Sequence, residues 1–251
     1  MKRTVVLGTE IDSLTMEQAV DRAMKLMEGH NGAYVVTPNS EMLVRAMDCP
    51  ELRMALQGAA LSLPDGVGVL LASHILGMPI PRRLTGIDFA SRLMDTMART
   101  EKSVFLLGAR PGVAERAAQR LKRRYPGLIV VGTNSGYFAP EEERDLIARI
   151  NAAAPDLLLV CLGSPKQELW MAQHSAQLSA GLMAGLGGAL DVFAGRIRRA
   201  PKLWRRLGLE WLYRLLCQPR RLLRILSVPR LFWVAICIKI GGTKETWIRE
   251  N

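Results

Sequence analysis

Residues 157–168 read LLLVCLGSPKQE, and this stretch decides the fold. Five apolar residues, Leu157 to Cys161, are followed by Leu162 and Gly163 and then by a polar helix opening at Lys166, Gln167 and Glu168. A strand with one wet face alternates apolar and polar residues, whereas a strand apolar throughout is covered on both faces, as parallel strands are. The run Val104–Leu107 has the same character. Working outward, short β-branched runs alternate with longer amphipathic runs. Strands are predicted at Thr4–Leu7, Tyr34–Val36, Leu61–Leu63, Val104–Leu107, Ile129–Val131, Leu157–Cys161 and Leu182–Ala184. Helices are predicted at Thr15–Glu28, from Ser40, and at Gly66–Leu76, Phe89–Arg99, Val113–Arg124, Glu141–Ala153 and Gln167–His174. That order predicts an α/β fold, a mainly parallel Rossmann-like sheet with helices on both faces and right-handed crossovers.

Charge divides the chain differently. The 251 residues carry a net charge of +11, yet residues 1–194 hold 20 Lys and Arg against 20 Asp and Glu. Residues 195–251 hold 14 against 3, with four of the five tryptophans: Trp204, Trp211, Trp233 and Trp247. Two units are therefore expected, a neutral α/β core over 1–195 and a basic, Trp-rich helical appendage over 196–251, cut by Pro201, Pro219 and Pro229. Such a tail fits a partner that is anionic and partly greasy, a membrane surface. The longest uncharged apolar run near the C-terminus, Leu231–Ile238, is eight residues, against roughly 20 for a helical span. The start, MKRTVVLGTEID, lacks the apolar length of a signal peptide. Cys49, Cys161, Cys217 and Cys237 stand singly, which favours reduced thiols and disfavours zinc. A cytoplasmic protein held peripherally on the inner membrane face is the resulting expectation.

In an open parallel sheet, ligands bind outside the carboxyl ends of the strands. The turns predicted there are Thr37-Pro-Asn39-Ser-Glu41, Pro64-Asp65-Gly66, Gly108-Ala-Arg-Pro-Gly112, Ser135-Gly-Tyr137, Gly163-Ser-Pro-Lys-Gln167-Glu168, and Gly185-Leu-Gly-Gly188 with Asp191 behind it. Turns rich in glycine and polar side chains suit a phosphate- and sugar-binding crevice. Each also has a plain structural reading. Asp65-Gly66 is equally a turn with a capping Asp, and Thr37 and Asn39 equally end a strand and cap a helix. Lys166, Gln167 and Glu168 are costly beside a buried strand unless they meet something polar. Neither GxGxxG nor GxxxxGK[ST] is present, so no dinucleotide or P-loop fingerprint exists. His30, His74 and His174 are isolated, and there is no DxD pair, so no metal and no cofactor is expected; the basic tail could supply the counter-charge for a diphosphate instead.

Eight ordered strings, TPNSEM, PDGVGV, RLTGIDF, FLLGARPGVAE, NSGYF, GSPKQELW, GGALDVFAGRIRRAP and LGLEWLYRL, resemble the WecG/TagA/CpsF glycosyltransferases from about Thr4 to Arg224. The resemblance implies an inverting, metal-independent transfer of N-acetylmannosamine from a UDP-sugar donor to undecaprenyl-diphosphate-linked N-acetylglucosamine. The implied β1,4 product is an early intermediate of wall teichoic acid or a related surface polymer. UDP-N-acetylmannosaminuronic acid or another UDP-hexose is the alternative donor. By the same resemblance Asp65 is the general base, with Thr37, Arg83 and Gln167 as the other catalytic positions. Arg214, Arg221 and Arg224 in the appendage would meet the lipid diphosphate and the membrane. Asn39, Gly108, Tyr137, Gly163, Glu168 and Asp191 are the expected substrate and UDP contacts. A lone carboxylate suffices for inversion by an oxygen nucleophile, and arginines with helix N-termini can stabilise the departing phosphate. Self-association off the membrane, burying the tail's apolar surface, is a further expectation. Nucleic-acid binding by the basic tail is the remote alternative. It is disfavoured because Leu and Trp interleave with the arginines, so no nucleic-acid partner is expected. A non-catalytic membrane scaffold is the third reading.

Overall fold

The computed structural model describes residues 3–29, 32–201, 203–204, 210–217 and 227–241, the side chains of Trp211, Arg214 and Cys217 excepted. The chain runs β1 (Arg3–Val6), β2 (Thr9–Asp12), α1 (Met16–Met27), β3 (Tyr34–Val36), α2 (Ser40–Asp48), α3 (Pro50–Gln57), β4 (Leu61–Ser62), α4 (Val67–Ile75), α5 (Gly86–Arg99), β5 (Ser103–Gly108), α6 (Val113–Arg124), β6 (Ile129–Asn134), α7 (Pro140–Ala153), β7 (Leu157–Cys161), α8 (Lys166–His174), β8 (Leu182–Gly185) and α9 (Ala189–Phe193). Two further helices follow, α10 (Glu210–Cys217) and α11 (Ser227–Ile240). Six strands form one sheet in the order β4-β3-β8-β7-β5-β6, every neighbouring pair parallel.

The all-apolar strands are buried for the reason their sequence suggests. Leu157, Leu159 and Cys161 of β7 enter the core on one face, under α1, α5, α6 and α9. Leu158 and Val160 enter the core on the other, under α2, α3, α7 and α8. Each such side chain contributes about 2 kcal/mol by leaving water, so both faces reward hydrophobicity and alternation disappears. A third cluster joins Val6 and Ile11 of the first two strands, Leu43 of α2, Val69 of α4, and Leu231, Val234 and Ala235 of α11. The last helix of the tail thus shares a core with the body, and Arg230 forms a bidentate ion pair with Asp48 at 2.7 and 2.9 Å.

Three elements depart from the sequence expectation. The first strand does not enter the parallel sheet; it pairs antiparallel with Thr9–Asp12, which was not anticipated. Leu7 and Gly8 both have positive φ, 49° and 77°, as a two-residue hairpin loop of the primed kind requires. The single helix expected from Ser40 is two, because Pro50 forces Cys49 into an extended conformation (φ −134°, ψ 97°). The short α9 was unforeseen. Boundaries elsewhere shift by one to three residues.

The chain leaves β5 towards β6 and leaves β7 in the opposite direction, towards β8. That reversal opens a crevice outside the carboxyl ends of these two strands. No helix among the described residues is long and apolar enough to cross a membrane.

Candidate active site

The carboxyl ends of β3 and β4 are stitched together through main chain. The Leu63 N–H donates to the Val36 carbonyl (2.9 Å), the Asp65 N–H to Pro38 (3.0 Å), and the Leu84 N–H to Pro64 (2.9 Å). The turns after β3 and β4 and the approach to α5 therefore form one rigid floor, carrying Thr37, Asn39, Asp65 and Arg83. Thr37 is buried and its hydroxyl donates to the Gly185 carbonyl at 3.4 Å. From the opposite side Gln167 reaches the same glycine: a Cβ at Gly185 would stand 3.2 Å from Gln167 Nε2 and 2.6 Å from Met171 Cε. A bare backbone is what lets both side chains close on β8. The four positions expected to be catalytic are thus brought to adjoining strand ends.

Asp65 is half-buried. It is not the cap of α4; that position is Gly66, at φ 103°. Asn39, by contrast, does cap α2, its Oδ1 accepting from the Met42 N–H at 3.1 Å. Arg83 lies 3.8 Å from the buried carboxylate of Glu210 at the start of α10. The sequence reading missed the neighbouring pair Asp88 and Arg199. Arg199 binds Asp88 through both terminal nitrogens, at 2.6 and 3.0 Å. Burial works against the charge on Arg199, and Asp88, with smaller contributions from Glu210 and Asp65, more than restores it, so its pKa is raised. Thr85 orients Asp88 by a 2.6 Å hydrogen bond while capping α5. The spacing Thr85-x-x-Asp88 is a helix-start pattern legible in the sequence.

Of the expected substrate and nucleotide contacts, Gly108, Tyr137, Gly163 and Asp191 lie around the β5/β7 reversal, whereas Asn39 stands beyond β3. Gly108 has φ +135°, and a Cβ there would fall 2.3 Å from the Cys161 carbonyl oxygen. The Ala109 N–H donates to that same oxygen at 3.1 Å, and the Gly136 N–H to Ala109 at 2.8 Å. Gly163 has φ +81° and is followed by a cis Ser164–Pro165 bond. Tyr137 is 69% exposed on the next turn. Asp191 lies 3.6 Å from Arg196, and its carbonyl accepts from the Arg196 and Ile197 N–H groups, turning the chain into the basic segment. Cys161 is buried between these turns and its thiol is pushed up to about 12 by desolvation, so it is a packing residue here. Neighbouring strands stand about 4.8 Å apart, so a rim of six runs to roughly 24 Å, enough for a nucleotide-sugar with an acceptor.

The polar opening of α8 meets the sequence expectation only in part. Lys166 places its ammonium 4.9 Å from the centre of the Phe138 ring. Gln167 Oε1 accepts from the Gly187 N–H at 2.9 Å, and its Nε2 donates to Glu168 Oε1 at 2.7 Å. Glu168 is fully buried, so it reaches the rim through Gln167 rather than by facing it. Arg221 and Arg224 lie outside the described residues, as does the side chain of Arg214. Among the described residues no three His, Cys, Asp or Glu side chains group to hold a metal ion.

A sequence model of the glycosyl transferase WecG/TagA/CpsF family matches residues 4–245. The N-acetylglucosaminyldiphosphoundecaprenol N-acetyl-beta-D-mannosaminyltransferase of Bacillus spizizenii strain W23 is 37% identical over 204 residues, 81% of this chain and 79% of that protein. The enzyme of the same name from Staphylococcus aureus strain NCTC 8325 is 35% identical over 226 residues, 89% of this chain and 88% of its own. With a parallel sheet whose polar turns meet at one rim, and a match that spans both core and tail, the chain is a glycosyltransferase of the WecG/TagA/CpsF family.

Proposed function

We propose that the chain transfers N-acetylmannosamine from UDP-N-acetylmannosamine to N-acetylglucosaminyl-diphosphoundecaprenol, forming a β1,4 bond with inversion. The observation that carries this reading is the convergence of Thr37, Asp65, Arg83 and Gln167 on the ends of β3, β4 and β8. The names of the relatives supply the substrates. Asp65 takes the proton of the acceptor hydroxyl as its oxygen attacks the anomeric carbon, and the bond to UDP breaks on the opposite face. Charge developing on the leaving diphosphate is met by Arg83 and by the N–H groups that open α6 and α8. Thr37 and Gln167 hydrogen-bond the sugar or phosphates; Asn39, Gly108, Gly163, Tyr137 and Asp191 contact the nucleotide side. No step is assigned to a metal.

The acceptor is a lipid, and residues 196–251 bring the chain to it. Each basic side chain beside an anionic leaflet is worth on the order of 1 kcal/mol, so a few of the fourteen suffice for reversible peripheral attachment. Arg214, Arg221 and Arg224 then meet the lipid diphosphate. The test is a screen of UDP-sugars against a short-chain lipid-diphosphate N-acetylglucosamine, following UDP release and the disaccharide lipid. UDP-N-acetylmannosamine should be the best donor. Transfer from no UDP-N-acetylhexosamine would overturn the reading, and preference for a uronic-acid donor would move the chain to another surface polymer.

A further inference from the structure

A carboxyl group with no exposure to water sits one residue beyond Gln167, and the proposed mechanism gives it no task. Glu168 is 0% exposed. Its Oε1 accepts the Gln167 Nε2–H at 2.7 Å, and its Oε2 has no hydrogen-bond partner among the described residues. A fully buried carboxyl with one oxygen left without a hydrogen-bond partner disfavours its charged form. Burial pushes its pKa up; Gln167, Ser164 and its own backbone oppose this, and Glu41 adds to it.

The two bonds on Gln167 define which way its amide faces. The Gly187 N–H can only donate, so the atom 2.9 Å from it must be the amide oxygen. The nitrogen is then turned towards Glu168 and the bare backbone of Gly185. With one N–H spent on Glu168, the second is what Gln167 can offer a ligand. An oxygen acceptor, of a phosphate or a sugar, is the matching group.

We propose that Glu168 is a positioning residue: its buried carboxyl clamps the Gln167 amide in the one orientation that presents an N–H donor to a substrate oxygen. The inference rests on Gln167 contacting substrate, as proposed above. A side chain of equal shape that still offers a carbonyl oxygen should serve, and an apolar one should not. A misaligned contact of this kind costs about tenfold to a hundredfold in rate.

The experiment measures kcat, KM and melting temperature for the full chain with UDP-N-acetylmannosamine and the short-chain lipid acceptor. The variants are Glu168→Gln, Glu168→Met, Gln167→Ala and Gln167→Ala/Glu168→Met. Expected are near-normal turnover for Glu168→Gln, a drop of about tenfold or more for Glu168→Met, and a double variant no slower than Gln167→Ala alone, since a residue acting through another adds nothing once its partner is gone. A folded Glu168→Met at the normal rate overturns the proposal. So does Glu168→Gln falling as far as Glu168→Met, which would mean that the carboxyl proton itself takes part. Losses that add in the double variant also overturn it. If Glu168→Met does not fold, Glu168→Gln decides alone, normal turnover supporting and loss overturning. Normal turnover for Gln167→Ala removes the foundation, a failure recognisable because it strikes Gln167 while Asp65→Asn remains inactive.

Discussion

Asp65 stands at the junction of two bound turns, half-buried, on a main chain held by Pro38. Replacing it by Asn keeps shape and most hydrogen bonding but removes the proton acceptor. Asp65→Asn should lose about a hundredfold to ten-thousandfold in turnover, with a melting temperature near that of the parent; a steady-state assay beside a thermal melt checks both. Cys161 gives a prediction of the opposite kind. Burial keeps its thiol protonated, whereas Cys49 is partly exposed. Brief alkylation of the native protein, read by peptide mass, should label Cys49 and spare Cys161. The places of Thr37, Asp65 and Gln167 just beyond strand ends were legible because each follows an apolar run; the roles proposed for them came only from the resemblance. Asp88 and Arg199 were not, being 111 positions apart and joined only by folding.

At the scale of elements, carboxylates that tie strand starts carry much of the specificity. Asp12, at the end of β2, is fully buried; it accepts the Ser62 N–H at 2.8 Å and Arg3 Nε at 3.0 Å, fixing the hairpin to β4. Asp12→Ala leaves a buried N–H unpaired and should cost about 2–3 kcal/mol, measurable by denaturant titration. Asp156 plays the same part for β5, accepting from Lys102 Nζ at 2.7 Å and from the Ser103 N–H and hydroxyl, each at 2.8 Å. Burial pushes its pKa up, but the bonds from Lys102 and Ser103 outweigh this, and the net direction is down. A carboxyl whose pKa is depressed in the folded state stabilises at pH above its unfolded value and loses that contribution as pH falls through the folded one. The stability gap between the parent and Asp156→Asn should therefore be constant near neutrality and shrink below about pH 4. The parallel strands were legible because both faces are buried. The hairpin was hidden, since Glu10 and Asp12 make β2 look like a polar loop until Asp12 finds Ser62. The five residues of α9 are too few for a helical period to register.

At the scale of the whole molecule, net neutrality of the first 194 residues conceals polarity. Arg120, Arg123 and Arg124 of α6 face Arg199 across a groove of about 800 Å³ whose lining includes the carboxylate of Asp88. Sequence arithmetic sums over such segregation; only the fold brings these guanidinium groups together. The tail is likewise more than a charged strap, because α11 places Val234, 2% exposed, in a core shared with α2 and α4. Val234→Asp should destabilise the protein by about 3 kcal/mol, several degrees for a chain of this size, and a melting curve checks it. An unchanged melt would mean that the helix does not rest on the body. One contact also orders events in time. Thr37 grips Gly185, 148 positions further along, because β8 lies between β3 and β7 although it is made last of the six. A nascent chain on the ribosome therefore displays Thr37 beside a vacant slot until Leu182–Gly185 emerges and inserts. The rim is completed late in biosynthesis, by one strand, and any product truncated before that point has only half of it.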